Sequence, residues 1–403
     1  MSAPRIVYVL SKFPCYDEAF LLREIAEVSR RLDCYIFSLR PPDETIVHEE
    51  AHALVPRTLY VPFFFSWAVW RAQLASMLSS PLRYFHALFG LVRAHLGSPA
   101  FLLKSLAFVP KAVWLGRFAA QNGITHLHGG WATYPATVAT VAADLCALPM
   151  SFSGHAHDLY VDGTGLRQKL ARASFVTTCT ESNALFLKGI ARDGDDAAKV
   201  KVVRHGVRLL EYTPALRGER PLEILSVGTL NPHKGFAVLI DALARLALGG
   251  LDFRCTIVGG GPLDTELRAR AKAAGLGERL VFTGALTQAQ VGPHYARASV
   301  FVLLAQPEWH WGVPNVIVEA LAARNAVVTT RFGSVEELVR DGETGLIVPP
   351  RDAEAVANTL GQLAREPALR ERLAAAGHEQ VAREFDLARC ASTYLDLFGG
   401  ARA

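Results

Sequence analysis

Short apolar, β-branched runs alternate with helix-length amphipathic stretches along most of the 403 residues, and that rhythm leaves few folds open. A strand rich in Val and Ile on both faces must be covered on both faces, which a parallel sheet flanked by its own crossover helices achieves. In the first half the strand candidates are 6–10, 34–39, 59–61, 125–128, 150–153, 175–179 and 200–204. In the second half they are 223–227, 254–258, 280–282, 299–304, 326–330 and 345–348. The chain reads as α/β, with two doubly wound Rossmann-like units. A hydrophobic content of 51% excludes a disordered chain, and the length suits two domains with a core each.

The polar stretch 211–221, with two Pro, marks an interdomain linker. The expected division is 1–210 for the first domain and 222–384 for the second, followed by a helix over 385–403 that returns to the first domain. A helical insertion over about 62–119 interrupts the β/α rhythm.

Charge is distributed unevenly. The chain has 42 basic and 38 acidic residues, yet no Asp or Glu occurs from Ala51 to Ala143, where Arg57, Arg71, Arg83, Arg93, Lys104, Lys111 and Arg117 all fall. The rest of the chain is slightly acidic, with 35 basic residues against 38. In the same block Trp67, Trp70, Leu74 and Leu78 recur at helical spacing, as do Leu82, Phe85, Phe89, Val92 and Leu96. Two readings stand: stripes packed on their own domain, or a basic-aromatic surface over 57–117 that rests on anionic lipid headgroups. Nucleic acid is a poor fit, because basic residues never cluster in runs.

The six Cys lack metal-like spacing and read as reduced thiols, which with the absence of an export signal points to a cytoplasmic protein. The most apolar uncharged run, 58–70, contains Pro62 and is too short to span a bilayer.

Chemistry concentrates after the run 299–304. Gly312, Pro314 and Asn315 suit a turn that opens a helix, whose first N–H groups and dipole favour an anion. Glu319 follows about one turn later, placed to accept hydrogen bonds from sugar hydroxyls.

These strings resemble glycosyltransferase family 4, the retaining nucleotide-sugar transferases of GT-B fold. GVPNVIVEALA from Gly312 is similar to that family's donor-site helix, and FGSVEELVRDGETGLIVPP from Phe332 to the segment after it. VGTLNPHKGF from Val227 resembles its phosphate loop, while VGGGP from Val258 and LVFTG from Leu280 resemble the strands lining the nucleotide. In the first domain LSKFP from Leu10, DEAF from Asp17, IFSLRPP from Ile36, HLH from His126 and FSGHAHD from Phe152 resemble the exopolysaccharide and colanic-acid branch.

The resemblance implies two Rossmann-like domains facing across a cleft. It implies sugar transfer from a nucleotide-diphosphate sugar to a glycan or lipid-linked oligosaccharide at the inner face of the cytoplasmic membrane, without a bound metal. Donor binding falls to Thr229, Lys234, Gly284, Gly312, Val313, Pro314, Asn315 and Glu319. Lys234 supplies a point charge for the diphosphate; Thr229 stands where the family often has an Arg. His155 comes close to the transferred sugar, with His157 as rival and Asp158 to orient either. Glu18, Phe20 and His128 fall on the acceptor side.

One departure stands out. The family pairs two Glu eight positions apart, and counting back from Glu319 gives Trp311. Either Glu308 takes the catalytic role, or Trp311 stacks on the sugar, or the chain is a catalytically impaired nucleotide-sugar binder or pathway scaffold. A nicotinamide oxidoreductase is excluded because the first βα turn lacks GxGxxG. A sugar-nucleotide epimerase fits the membrane-like block less well than a transferase.

Overall fold

Among the described residues thirteen strands form where the apolar runs fall. The computed structural model describes residues 4–43, 45–62, 66–212, 221–308 and 312–400. Contacts divide the chain into two units, residues 1–204 with 388–403, and residues 205–387. Most of the expected linker, 213–220, lies outside the described residues.

The first unit holds β1 (Arg5–Lys12), β2 (Asp33–Arg40), β3 (Thr58–Tyr60), β4 (His126–Gly129), β5 (Met150–Gly154), β6 (Val176–Thr178) and β7 (Val200–Val202), in the order β3-β2-β1-β4-β5-β6-β7. All neighbours in this sheet are parallel. Residues Ile6 to Leu10 of β1 are buried on both faces, as a central parallel strand requires. Helix α1 (Ala19–Val28) follows β1. The C-terminal helix Leu387–Gly400 contributes Tyr394 and Phe398 to a core with Ile6, Tyr8 and Ile36.

The acid-free block forms α2 (Trp67–Ser79), α3 (Pro81–His95) and α4 (Pro99–Gln121), and α5 (Tyr134–Cys146) follows β4. α4 packs on α5 and reaches β2, while α2 and α3 pack on α4 and α5; Val69, Ala87 and Leu91 join Val109 and Leu115 of α4 in one core. The stripes that helical spacing singled out lie elsewhere: Trp67, Trp70, Leu74, Leu78, Leu82, Phe85 and Phe89 are all exposed. The packed-stripe reading is corrected there, because Val69, Ala87 and Leu91 on the other faces of α2 and α3 make the core contact instead. Lys111 is also not a surface charge. It is buried and its ammonium donates to the Leu39 carbonyl at the end of β2; burial pulls its pKa down to about 8.

The second unit holds β8 (Leu222–Val227), β9 (Phe253–Val258), β10 (Leu280–Gly284), β11 (Val300–Leu303), β12 (Ala326–Thr330) and β13 (Leu346–Val348), in the order β10-β9-β8-β11-β12-β13. All neighbours are again parallel. Its core joins Ile224, Ile257, Val302 and Val328 of the sheet to Leu239, Leu243 and Leu360 of the covering helices. Among the described residues no helix is long and apolar enough to cross a membrane.

Candidate functional site

In an open doubly wound sheet, ligands bind outside the carboxyl ends of the strands where the strand order reverses. In the second unit that point lies between β8 and β11. After β8 the chain turns through a single 3-10 turn, Pro232–Lys234, whose start Asn231 caps by accepting the His233 N–H at 3.2 Å. Gly235 then takes the left-handed conformation, with φ 71°. A Cβ there would stand 2.1 Å from the Leu304 carbonyl oxygen, so only glycine lets this loop lie on the loop that leaves β11. The Gln306 N–H donates to the His233 carbonyl at 2.8 Å and joins the same two loops.

The β11 loop leads to Gly312, the buried Val313 and Pro314, and then to the helix Asn315–Ala322. Its first turn closes as the Ile317 N–H donates to the Pro314 carbonyl at 2.8 Å. The third loop of the set comes from β9, where Gly259 packs so closely on Gly228 that a Cβ would meet the Gly228 oxygen at 2.0 Å. The Gly259 N–H donates to Gly284 at 2.9 Å. Thr229, Lys234 and Gly284 thus lie on the loops that leave the carboxyl ends of this sheet, and Gly312 to Asn315 on the loop that follows β11. The Asn315 Oδ1 lies 3.1 Å from His205 Nδ1, fixing that side chain.

Two carboxylates have partners that the sequence did not show. Glu319 is 5% exposed, and the Tyr295 hydroxyl donates to its Oε2 at 3.0 Å. It lies on the packed side of its helix, among Ile317, Val318, Ala320 and Leu321, all buried. Glu308 is on the surface, where its Oε1 accepts from Arg351 Nη2 at 2.6 Å and both side chains are more than half exposed. That hydrogen bond holds its carboxyl below the usual range. Glu308, expected to take the catalytic carboxylate's role, is thus paired with a guanidinium in this structure. Trp311 lies outside the described residues.

In the first unit the strand order reverses between β1 and β4, and the residues of interest again follow the strand ends. Glu18 and Phe20 come after β1, Trp131 after β4 and His155 after β5. The His155 ring stands edge-on to Trp131, with centroids 4.5 Å apart, and to Phe20 at 5.1 Å. Its Nε2 donates to the Gly130 carbonyl at 3.1 Å, and burial lowers its pKa, so the ring is neutral near pH 7. The Asp158 carboxylate accepts from the backbone N–H groups of Ala132, His155 and Ala156 at 2.8–3.0 Å. His157 is exposed beside Asp162, 3.8 Å away, and takes no part. Burial pushes the Glu18 carboxyl up to about 7, against the pull of Lys12.

His128, expected on the acceptor side, is instead a core residue. It is 0% exposed, its ring nitrogens lie 2.8 Å from Ser151 Oγ and 3.0 Å from Ser153 Oγ, and Tyr8, Phe175 and Phe398 enclose it. Two residues of the cluster had gone unremarked. Trp131 directly follows the HLHGG string, a signal that was available. Lys169, in the helix Leu166–Arg172, is buried and its ammonium donates to the carbonyls of Ala132, Thr133 and Thr164. Burial brings its pKa down to about 7. Nothing in its amphipathic flanks distinguishes it from a solvated lysine.

Residues 214–380 match the family model described as glycosyl transferases group 1. The lipopolysaccharide core biosynthesis glycosyltransferase LpsE of Rhizobium meliloti is 34% identical over 174 residues, 43% of this chain and 48% of that protein. The putative colanic acid biosynthesis glycosyltransferase WcaL of Salmonella typhimurium is 31% identical, over 47% of this chain and 48% of the relative. The chain spans about half the length of the curated relatives it matches. Anabaena HepE, solved with UDP, covers 98% of this chain and 100% of its own at a TM-score of 0.73 and 16% identity. That likeness is one of fold, two parallel-sheet Rossmann-like domains of GT-B type. The match to the glycosyl transferases group 1 model thus falls within the second unit, residues 205–387, while the likeness of the first unit to known proteins is one of fold.

Proposed function

We propose that this protein is a retaining glycosyltransferase of family 4 type. It moves a sugar from a nucleotide-diphosphate sugar to a lipid-linked oligosaccharide in surface or exported polysaccharide synthesis. The observation that carries this reading is the seating of the Lys234 loop on the β11 loop, through Gly235 against Leu304. A cation and a helix start then flank one sheet-end crevice. As the bond to the sugar breaks, negative charge develops on the leaving diphosphate. Lys234 supplies a positive charge and the start of helix Asn315–Ala322 supplies its dipole, both fixed before reaction. Thr229 offers one hydroxyl donor.

In front-face transfer the acceptor hydroxyl attacks the anomeric carbon on the side the diphosphate leaves. Its proton passes to the departing phosphate oxygen, so no protein base is required. His155, neutral and fixed by Asp158 and Gly130, orients sugar hydroxyls, with Glu18 and Phe20 toward the acceptor. Binding needs no metal, since Lys234 and the helix carry the charge compensation. The protein acts at the inner face of the cytoplasmic membrane, resting on it through residues 57–117.

The sequence relatives act in lipopolysaccharide core and colanic acid biosynthesis by name, and HepE was solved with UDP; each supports the reading. A thermal-shift screen of UDP-, GDP- and dTDP-sugars tests its donor half. A donor at 100 times its Kd stabilises the native state by about 2.7 kcal/mol. One nucleotide class is expected to raise Tm, and no shift with any nucleotide would refute donor binding.

A further inference from the structure

The helical insertion contains a cleft that the transfer reaction does not use. Between α2 and α4 lies a cavity of about 210 Å³, lined by Ala68, Arg71, Ala72, Ala75, Trp114 and Arg117 among others. A space of this size admits a phosphodiester group. The three alanines keep the α2 wall low. The Trp114 ring is stacked on Phe37 and Phe118 at 6.0 and 5.4 Å, so the opposite wall is rigid.

Two arginines border this space and no carboxylate does. Among the described residues neither Arg71 nor Arg117 has an ion-pair or hydrogen-bond partner, whereas Arg57 of the same block reaches Asp33. Two guanidinium groups beside one cleft, in 93 residues without an acid from Ala51 to Ala143, make a site for an anion.

The neighbouring surface says which anion. Successive helical residues turn by about 100°, so on α2 the lining residues Ala68, Ala72 and Ala75 pass through Arg71 into the strip Trp67, Leu74 and Leu78. Trp67 is 74% exposed and Leu78 77%. On α3, Leu82, Phe85 and Phe89 are exposed as well. A bare apolar strip bordering a cationic cleft matches the two halves of an anionic phospholipid. A second copy of the chain is disfavoured, since a symmetric contact would press two acid-free basic faces together.

We propose that the α2–α4 cleft binds the phosphate of an anionic membrane phospholipid through Arg71 and Arg117, while Trp67, Leu74 and Leu78 enter the bilayer beside it. This deepens the membrane part of the reading above, on which it rests, and assigns it a discrete site. Vesicle binding without any nucleotide sugar tests it apart from turnover.

Full-length protein is sedimented with vesicles of phosphatidylcholine alone and of phosphatidylcholine with phosphatidylglycerol. Binding is expected only to the latter. Arg71→Gln with Arg117→Gln is expected to raise the apparent Kd at least tenfold more than Arg83→Gln with Arg93→Gln, which removes equal charge from α3. Equal losses would overturn the site in favour of diffuse attraction. Trp67→Ser with Leu78→Ser is expected to abolish binding while the protein stays monodisperse and keeps its Tm. A change of oligomeric state in that variant, with vesicle binding intact, would reassign the strip to self-association. Displacement from vesicles by inorganic phosphate at matched ionic strength would show a preference for the free anion and refute the lipid. Transfer to a detergent-solubilised acceptor is expected to survive in the Arg71/Arg117 variant. Loss of transfer with vesicle binding intact in the wild type would strike the transferase reading and leave this site standing.

Discussion

The Asp158 carboxylate accepts the backbone N–H of Ala132 at 2.8 Å and that of His155 at 2.9 Å, so one buried side chain ties the loop after β4 to the loop after β5. Because His155 Nε2 also donates to Gly130 in the first of those loops, the residue is held at its backbone by Asp158 and at its ring by Gly130. Asp158→Asn keeps the size but replaces one acceptor oxygen by an amide. We expect kcat to fall on the order of tenfold to a hundredfold with donor Kd unchanged, since small misplacements of a positioning group cost that much. Steady-state kinetics with a donor titration decide it, and an unchanged kcat would remove His155 from the reaction.

Lys234 carries the charge compensation in this account. Removing one preorganised donor to a developing oxyanion costs on the order of 100-fold or more in kcat. Lys234→Met is expected to lose at least that while retaining its fold by circular dichroism. Activity within threefold of wild type would exclude the diphosphate role.

Gly235 predicts a stability effect with a structural origin. Gly235→Ala adds a methyl group 2.1 Å from the Leu304 oxygen, at φ 71°. The left-handed conformation alone costs roughly 1–2 kcal/mol for a non-glycine residue, and relieving the clash adds to it. A urea midpoint lowered by more than that conformational cost is expected, together with weakened donor binding. A neutral substitution would mean that the two loops do not touch.

Glu24 on α1 predicts a pH dependence. It is buried, its carboxylate takes a hydrogen bond from Tyr394, and burial pushes its pKa up to about 8. The native state therefore holds this proton more tightly than the unfolded chain does. The stabilisation is complete below the unfolded pKa of about 4.3 and fades as pH rises toward 8, by at most about 1.4 kcal/mol per unit. His126 and His128, both lowered by burial, work in the opposite sense at acid pH, so the comparison must be with Glu24→Gln. That variant is expected to gain stability relative to wild type between pH 5 and pH 8, read from urea midpoints. Parallel curves would show that Glu24 is ionised in the native state.

Periodicity located each described strand because a doubly covered parallel strand is largely apolar, as Ile6–Leu10 and Ala326–Val328 are. It misjudged the aromatic stripes of α2 and α3 for the complementary reason. Apolar spacing shows that residues share a helical face, and says nothing of whether that face meets a sheet, a lipid or water. The β8 loop was legible because Gly235 is required by a single close approach. The partners of Glu308 and Glu319 were not, since Arg351 and Tyr295 lie 43 and 24 residues away, brought near only by the fold. His128 was misplaced because its serine partners sit on the adjacent strand, in register by tertiary pairing.

The most direct test of the central claim is transfer itself. Purified protein is incubated with each of a panel of labelled UDP-, GDP- and dTDP-sugars and membrane-extracted lipid-linked oligosaccharide, and label is followed into the lipid fraction. The account predicts that one nucleotide sugar labels the lipid-linked product with retained anomeric configuration, and that Lys234→Met abolishes the signal. A nucleotide sugar that binds yet transfers its sugar to no acceptor would contradict it.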